Sequence, residues 1–79
     1  MAEQEVLAKV QEIIREIFDD PTIVVTKNTT AADVEGWDSL EHINLITRIE
    51  SAFHVKFSMR EAAGFKNVGD MVDTILAKG

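Results

Sequence analysis

Val6, Leu7, Val10, Ile13, Ile14, Ile17 and Phe18 recur at three- and four-residue steps, with Glu5, Lys9, Glu12, Arg15 and Glu16 between them. This is the stripe of an amphipathic helix, expected over about residues 3–18. Asp19-Asp20-Pro21 closes it, because proline restricts the residue before it and cannot continue the hydrogen-bond ladder. A second stripe of Leu40, Ile43, Ile46, Ile49 and Phe53, widened by Leu45, predicts a helix from about Ser39 to Phe53. Asp38 and Glu41 have capping-box spacing, which makes Asp38 the expected N-cap and Ser39 the first helical residue, with Leu40 turned toward the core.

Ser58 and Glu61 repeat that spacing ahead of a short third helix, which Gly64 is suited to end. A fourth helix begins after Asn67 and is expected to bury Val68, Met71, Val72, Ile75 and Leu76. Residues 19–37 form a long connection, and loops beyond ~12–15 residues are uncommon unless functional or partly structured. Ile23, Val24 and Val25 are β-branched, yet no second strand exists to pair with them. They are expected to pack on the helices as an apolar anchor, and Thr30 to Asp33 to add one helical turn. The expected fold is all-α: a four-helix bundle with a short third helix, as one domain over residues 1–79. Leu40, Ile43, Ile46, Phe53, Phe65, Val68 and Met71 are the expected core lining. Met59 is read with Met71 as core filler, and Trp37 as packing on the entry to the second helix.

A chain of 79 residues supports one modest core, and an apolar fraction of 46% argues against disorder. Fourteen acidic against eight basic residues give a net charge of −6, with no Lys/Arg cluster to displace counterions from nucleic acid. Anionic membranes are disfavoured for the same reason, and the fitting partners are proteins with basic docking patches. The start of the chain lacks a positive region followed by an apolar stretch, and no segment approaches the ~20 apolar residues of a membrane span. With no cysteine there is neither a disulfide framework nor a thiolate zinc site. A cytoplasmic monomer is expected, and any thiol chemistry must be brought by a cofactor.

The chemistry concentrates at Asp38-Ser39-Leu40. A helix N-terminus exposes unpaired N–H groups and about half a unit of positive charge, which favours a phosphate there. Serine at such a place is most often a simple helix cap. Asp38, Ser39 and His42 also suggest a nucleophilic triad, but a triad needs an oriented base, an oxyanion hole and a cleft, and no G-x-S-x-G elbow is present. Asp38, Glu41 and His42 lack the spacing of a metal loop, and His54 is expected on the surface. Neither catalytic residues nor metal ligands are expected.

The wider pattern changes the weight given to Ser39. Residues 36–53, Gly-Trp-Asp-Ser-Leu-Glu-His-Ile-Asn-Leu-Ile-Thr-Arg-Ile-Glu-Ser-Ala-Phe, closely resemble the modification segment of acyl carrier proteins, and the likeness in helix order extends over nearly the whole chain. The resemblance implies a 4′-phosphopantetheine esterified to Ser39 by a holo-acyl-carrier-protein synthase using coenzyme A and Mg²⁺. Its thiol carries acyl groups as thioesters between enzymes, and an acyl chain is able to slip between the helices. The carrier is then a substrate of acyl transferases or ligases and of synthase enzymes, and not itself a catalyst. The second helix is the family's docking face, where Asp38, Glu41 and Glu50 match the pattern, Glu35 lies close by, and Leu40 is expected to dock partners with them. Docking of this kind is collective, since single surface pairs are worth only ~0–1 kcal/mol.

Asn44 and Ser51 stand where fatty-acid carriers often place acids, while Arg48, Lys56 and Arg60 add positive charge. These departures point to a discrete carrier with a specialised, polyketide or other secondary pathway, and away from the housekeeping fatty-acid synthase. Two other readings stand beside this one: a peptidyl or aryl carrier using the same serine, and an interaction module that is never modified.

Overall fold

Every stretch of regular structure in the computed structural model, which describes residues 2–78, is helical. Helix α1 spans Glu3–Ile17, a 3-10 turn spans Ala31–Asp33, α2 spans Ser39–Phe53, α3 spans Met59–Ala63 and α4 spans Val68–Lys78. Helix α1 packs against both α2 and α4. Val6, Val10 and Ile14 of α1, Leu45 and Ile49 of α2, and Val68, Met71, Val72 and Ile75 of α4 are all but closed to solvent and form one apolar cluster. Phe53, Phe65, Trp37 and Leu76 are half-buried and pack against its margin.

The ends of the helices follow the expected local chemistry, with differences of detail. Asp38 caps α2 by accepting the Glu41 N–H at 2.9 Å. The reciprocal half of the box is missing, because the Asp38 N–H donates to the Gly36 carbonyl instead. At α3 both halves form: the Glu61 N–H donates to Ser58 Oγ and the Ser58 N–H to Glu61 Oε1. Asn67 caps α4 through the Asp70 N–H at 2.9 Å. His54 closes α2 in the left-handed conformation with φ 56°, and its side chain is exposed.

The buried side of α2 differs from the one read in the sequence. Leu40 is 73% exposed and Ile43 64% exposed, so neither lines the core. The inward stripe is His42, Leu45, Ile46, Ile49 and Phe53, which follows the 3.6-residue period as well as the expected one does. Its first place is taken by a histidine, and counting only apolar residues hides the alignment. Met59 is likewise 91% exposed at the start of α3, and only Met71 fills core space.

The connection between α1 and α2 is strapped down along much of its length. Gln11 Oε1 accepts the Val25 N–H at 2.9 Å, and Arg15 Nε donates to the Ile23 carbonyl at 2.7 Å. Val25 enters the core while Val24 faces solvent; the expected three-residue anchor is one buried valine and one half-buried isoleucine. Farther on, the Val68 and Gly69 N–H groups donate to the carbonyls of Thr29 and Lys27, each at 2.8 Å. Two of the amides that a helix N-terminus leaves unpaired are thereby satisfied by the loop.

Candidate functional site around Ser39

Ser39 is exposed and is the first residue of α2. The loop reaches it through Val34, which is buried, and Gly36, whose φ of 89° lies in the region that favours glycine. The Trp37 ring lies 6.1 Å from that of Phe18 and packs on the core edge, fixing the approach to the helix. The Asp38 cap then sets the first turn. The hydroxyl of Ser39 is therefore held at a defined place, open to another protein, on a helix end whose dipole favours an anion.

A groove of about 440 Å³ opens beside Ser39, with Trp37, His42, Ala62 and Phe65 among its walls. The Trp37 Nε1–H donates to His42 Nδ1 at 3.2 Å. With Nδ1 accepting, the neutral ring carries its proton on Nε2, which donates to the Ala62 carbonyl at 2.9 Å. Both ring nitrogens are committed, and the Asp38 carboxylate is committed to Glu41. Asp38, Ser39 and His42 thus share a turn without forming the relay of a triad, which needs a free base at the nucleophile and an acid on that base. The same commitments count against His42 as a metal ligand beside Asp38 and Glu41.

The five residues expected to dock partners stand in different circumstances. Glu35, Asp38 and Leu40 are exposed around Ser39, and Glu41 is half-buried. Glu50 is half-buried and its Oε2 accepts the Phe57 N–H at 2.8 Å. Arg48, the cation set into this helix, pairs with Glu16 of α1 at 3.1 Å. Ile43, which the sequence reading assigned to the core, joins Leu40 on the exposed side of α2, one turn along from it. The Trp37–His42–Ala62 connection and the Glu50–Phe57 bond were not legible in the sequence. The signal available for the first was a histidine three residues ahead of Leu45 and four ahead of Ile46 on the inward stripe.

Comparison with known proteins gives this geometry its context. The phosphopantetheine attachment site family matches residues 8–75. The chain belongs to the phosphopantetheine-binding acyl carrier family. An acyl carrier protein of Guillardia theta is 37% identical over 78 residues, covering 99% of this chain and 96% of that one. An acyl carrier protein of Streptococcus pyogenes is 42% identical over 67 residues, covering 85% and 86%. The solution structure of holo acyl carrier protein from Geobacter metallireducens superposes with a TM-score of 0.86 at 42% identity, over 92% of this chain and 84% of that one. The prosthetic group of the carrier is 4′-phosphopantetheine. The residues present fit such a group: an exposed hydroxyl, a capped helix end behind it and an adjoining groove. No helix among the described residues is long and apolar enough to cross a membrane.

Proposed function

We propose that Ser39 Oγ is the attachment point and that this carrier, as one domain, shuttles acyl thioesters between enzymes of a specialised pathway in the cytoplasm. The observation that carries the assignment is the placement of an exposed serine as the first residue of α2 behind the Asp38 cap. In the transfer from coenzyme A, Ser39 Oγ loses its proton and bonds to the pantetheine-linked phosphorus, the pyrophosphate P–O bond breaks and adenosine 3′,5′-bisphosphate leaves, and the helix N-terminus sits against the negative charge of the phosphodiester formed. The group, when bound, supplies a thiol that this cysteine-free chain lacks.

Partners in this reading are a holo-acyl-carrier-protein synthase, acyl transferases or ligases, and synthase enzymes with basic patches. Glu35, Asp38 and Glu41 offer charge near Ser39, and Leu40 with Ile43 offers apolar area at the same place. The exposed Asn44 and Ser51, together with the Arg48–Glu16 pair, thin out the acidity farther along α2, which favours a dedicated enzyme set over the housekeeping one. Intact mass after incubation with coenzyme A, Mg²⁺ and a broad-specificity synthase tests the attachment. A gain of one phosphopantetheine that is absent in Ser39→Ala is expected. A folded wild-type protein that gains nothing beside a labelled control carrier overturns it. Malonyl loading by a fatty-acid transacylase at the rate of a housekeeping carrier overturns the pathway assignment.

A further inference from the structure

The one hydrogen bond between α2 and α3 among the described residues runs through the side chain of His42. That ring is half-buried one turn along from Ser39, on the wall of the groove that opens beside the serine. On one side the Trp37 indole N–H donates to Nδ1 at 3.2 Å, and the two rings stack at 25° with centroids 6.0 Å apart. On the other, Nε2–H donates to the Ala62 carbonyl at 2.9 Å. A single imidazole therefore joins the approach to α2, the first turn of α2 and α3, and all three contribute walls to the groove.

Trp37 directly precedes the Asp38 cap, so the seat of its ring bears on how the chain turns into Ser39. Without His42 the indole N–H and the Ala62 carbonyl lose this partner, and a polar group left unpaired gains by turning toward water. For the indole, the open space is the groove beside the serine.

We propose that His42 is a positioning residue for the modification of Ser39. It makes no hydrogen bond to Ser39 among the described residues and acts through Trp37 and Ala62. By holding those two in register it presents the hydroxyl, and the groove through which a phosphate donor must reach it, in one geometry. The proposal rests on the reading of Ser39 as the attachment point.

Steady-state modification by the broad-specificity synthase, with coenzyme A and Mg²⁺ and read by intact mass, tests this on wild type, His42→Leu, His42→Gln and Trp37→Phe. Rates are referred to the folded fraction, taken from circular dichroism at the assay temperature. His42→Leu removes both bonds and leaves the exposed residues of α2 untouched. Its kcat is expected to fall about tenfold or more, since misplacement by ~1 Å can cost about a hundredfold, while the KM for the carrier stays within about twofold. His42→Gln offers an amide oxygen to accept and an amide nitrogen to donate, and should recover most of the lost kcat. Trp37→Phe keeps an aromatic ring and removes only the donor; a fall in the same sense is expected, and this variant decides alone if His42→Leu does not fold. A raised KM at unchanged kcat, wild-type kinetics in the folded variants, or a loss that His42→Gln shares in full overturns the positioning role and leaves the carrier assignment in place. Absence of any mass gain in wild type overturns the attachment at Ser39, and the positioning role with it.

Discussion

Glu50 accepts the backbone N–H of Phe57 at 2.8 Å, so a carboxylate on the expected docking helix also holds the chain beyond the end of α2. The Phe57 ring meets Phe65 edge-on at 5.3 Å, which links this segment to the connection before α4. Glu50→Ala is expected to destabilise the fold by about 1–3 kcal/mol, the range for a hydrogen bond to a charged group. Glu50→Gln keeps an acceptor and should lose less than half of that. Urea denaturation of the two variants separates this structural role from a docking role, which both variants would disturb alike.

The exposed and inward faces of α2 predict opposite outcomes for similar substitutions. Leu45→Ala or Ile49→Ala, at positions closed to solvent, should cost about 2–5 kcal/mol. Leu40→Ala and Ile43→Ala should stay within about 0.5 kcal/mol of wild type, as surface changes do. Under the proposed function, the latter pair should instead slow modification of Ser39 by the synthase. Thermal denaturation beside a loading time course measures both.

Gly69 has no room for a side chain: a Cβ there would stand 2.8 Å from the Lys27 carbonyl oxygen. The same carbonyl accepts the Gly69 N–H, so loop and helix cannot separate without loss of that bond. Gly69→Ala should destabilise by about 1–3 kcal/mol through overpacking. Gly64→Ala, where the nearest atom is 3.2 Å away, should cost less. The difference in urea midpoints between the two variants is the measurement.

The α3 cap should contribute to acid sensitivity. The Ser58 backbone N–H, and after it the Lys78 ammonium, hold the Glu61 carboxyl below its ordinary value of 4.5. A carboxylate with a lowered folded-state pKa stabilises fully above that ordinary value, and the contribution drains away as pH falls through the lowered one. Lys27, raised above 10.5 by Asp73 and then Glu3, works in the opposite sense and loses its contribution as pH rises through the raised value. Melting temperatures of wild type and Glu61→Gln should converge below pH 4.5 and be furthest apart above it. The separation should be small, since the carboxylate is solvent-screened.

Helix order, both capping serine and aspartate positions, and the place of Ser39 were readable because each depends on residues within four positions of one another. The inward side of α2 was not. Two stripes on that helix satisfy the helical period, and the inward one carries His42, which bonds to Trp37 five residues before it and to Ala62 twenty residues beyond, a partner that no local pattern encodes. Met59 escaped for a related reason, since a five-residue helix completes too little of a turn pattern to say which side faces the bundle. Glu50 reads as a surface acid in any window on α2, and only the return of the chain at Phe57 gives it a partner.

The strapping of the α1–α2 connection has a consequence for how the molecule breathes. Its bonds to Gln11, Arg15 and the first amides of α4 tie the loop to two helices at once. In hydrogen-exchange terms, the amides of Val25, Val68 and Gly69 should open with the bundle and not ahead of it, although the first belongs to a loop and the others to a helix start. The stretch from Ile23 to Thr29 is then a strut with the lifetime of the core. Under the proposed attachment at Ser39, movement at that end of the carrier falls to the attached group, and the protein presents the same face to each partner.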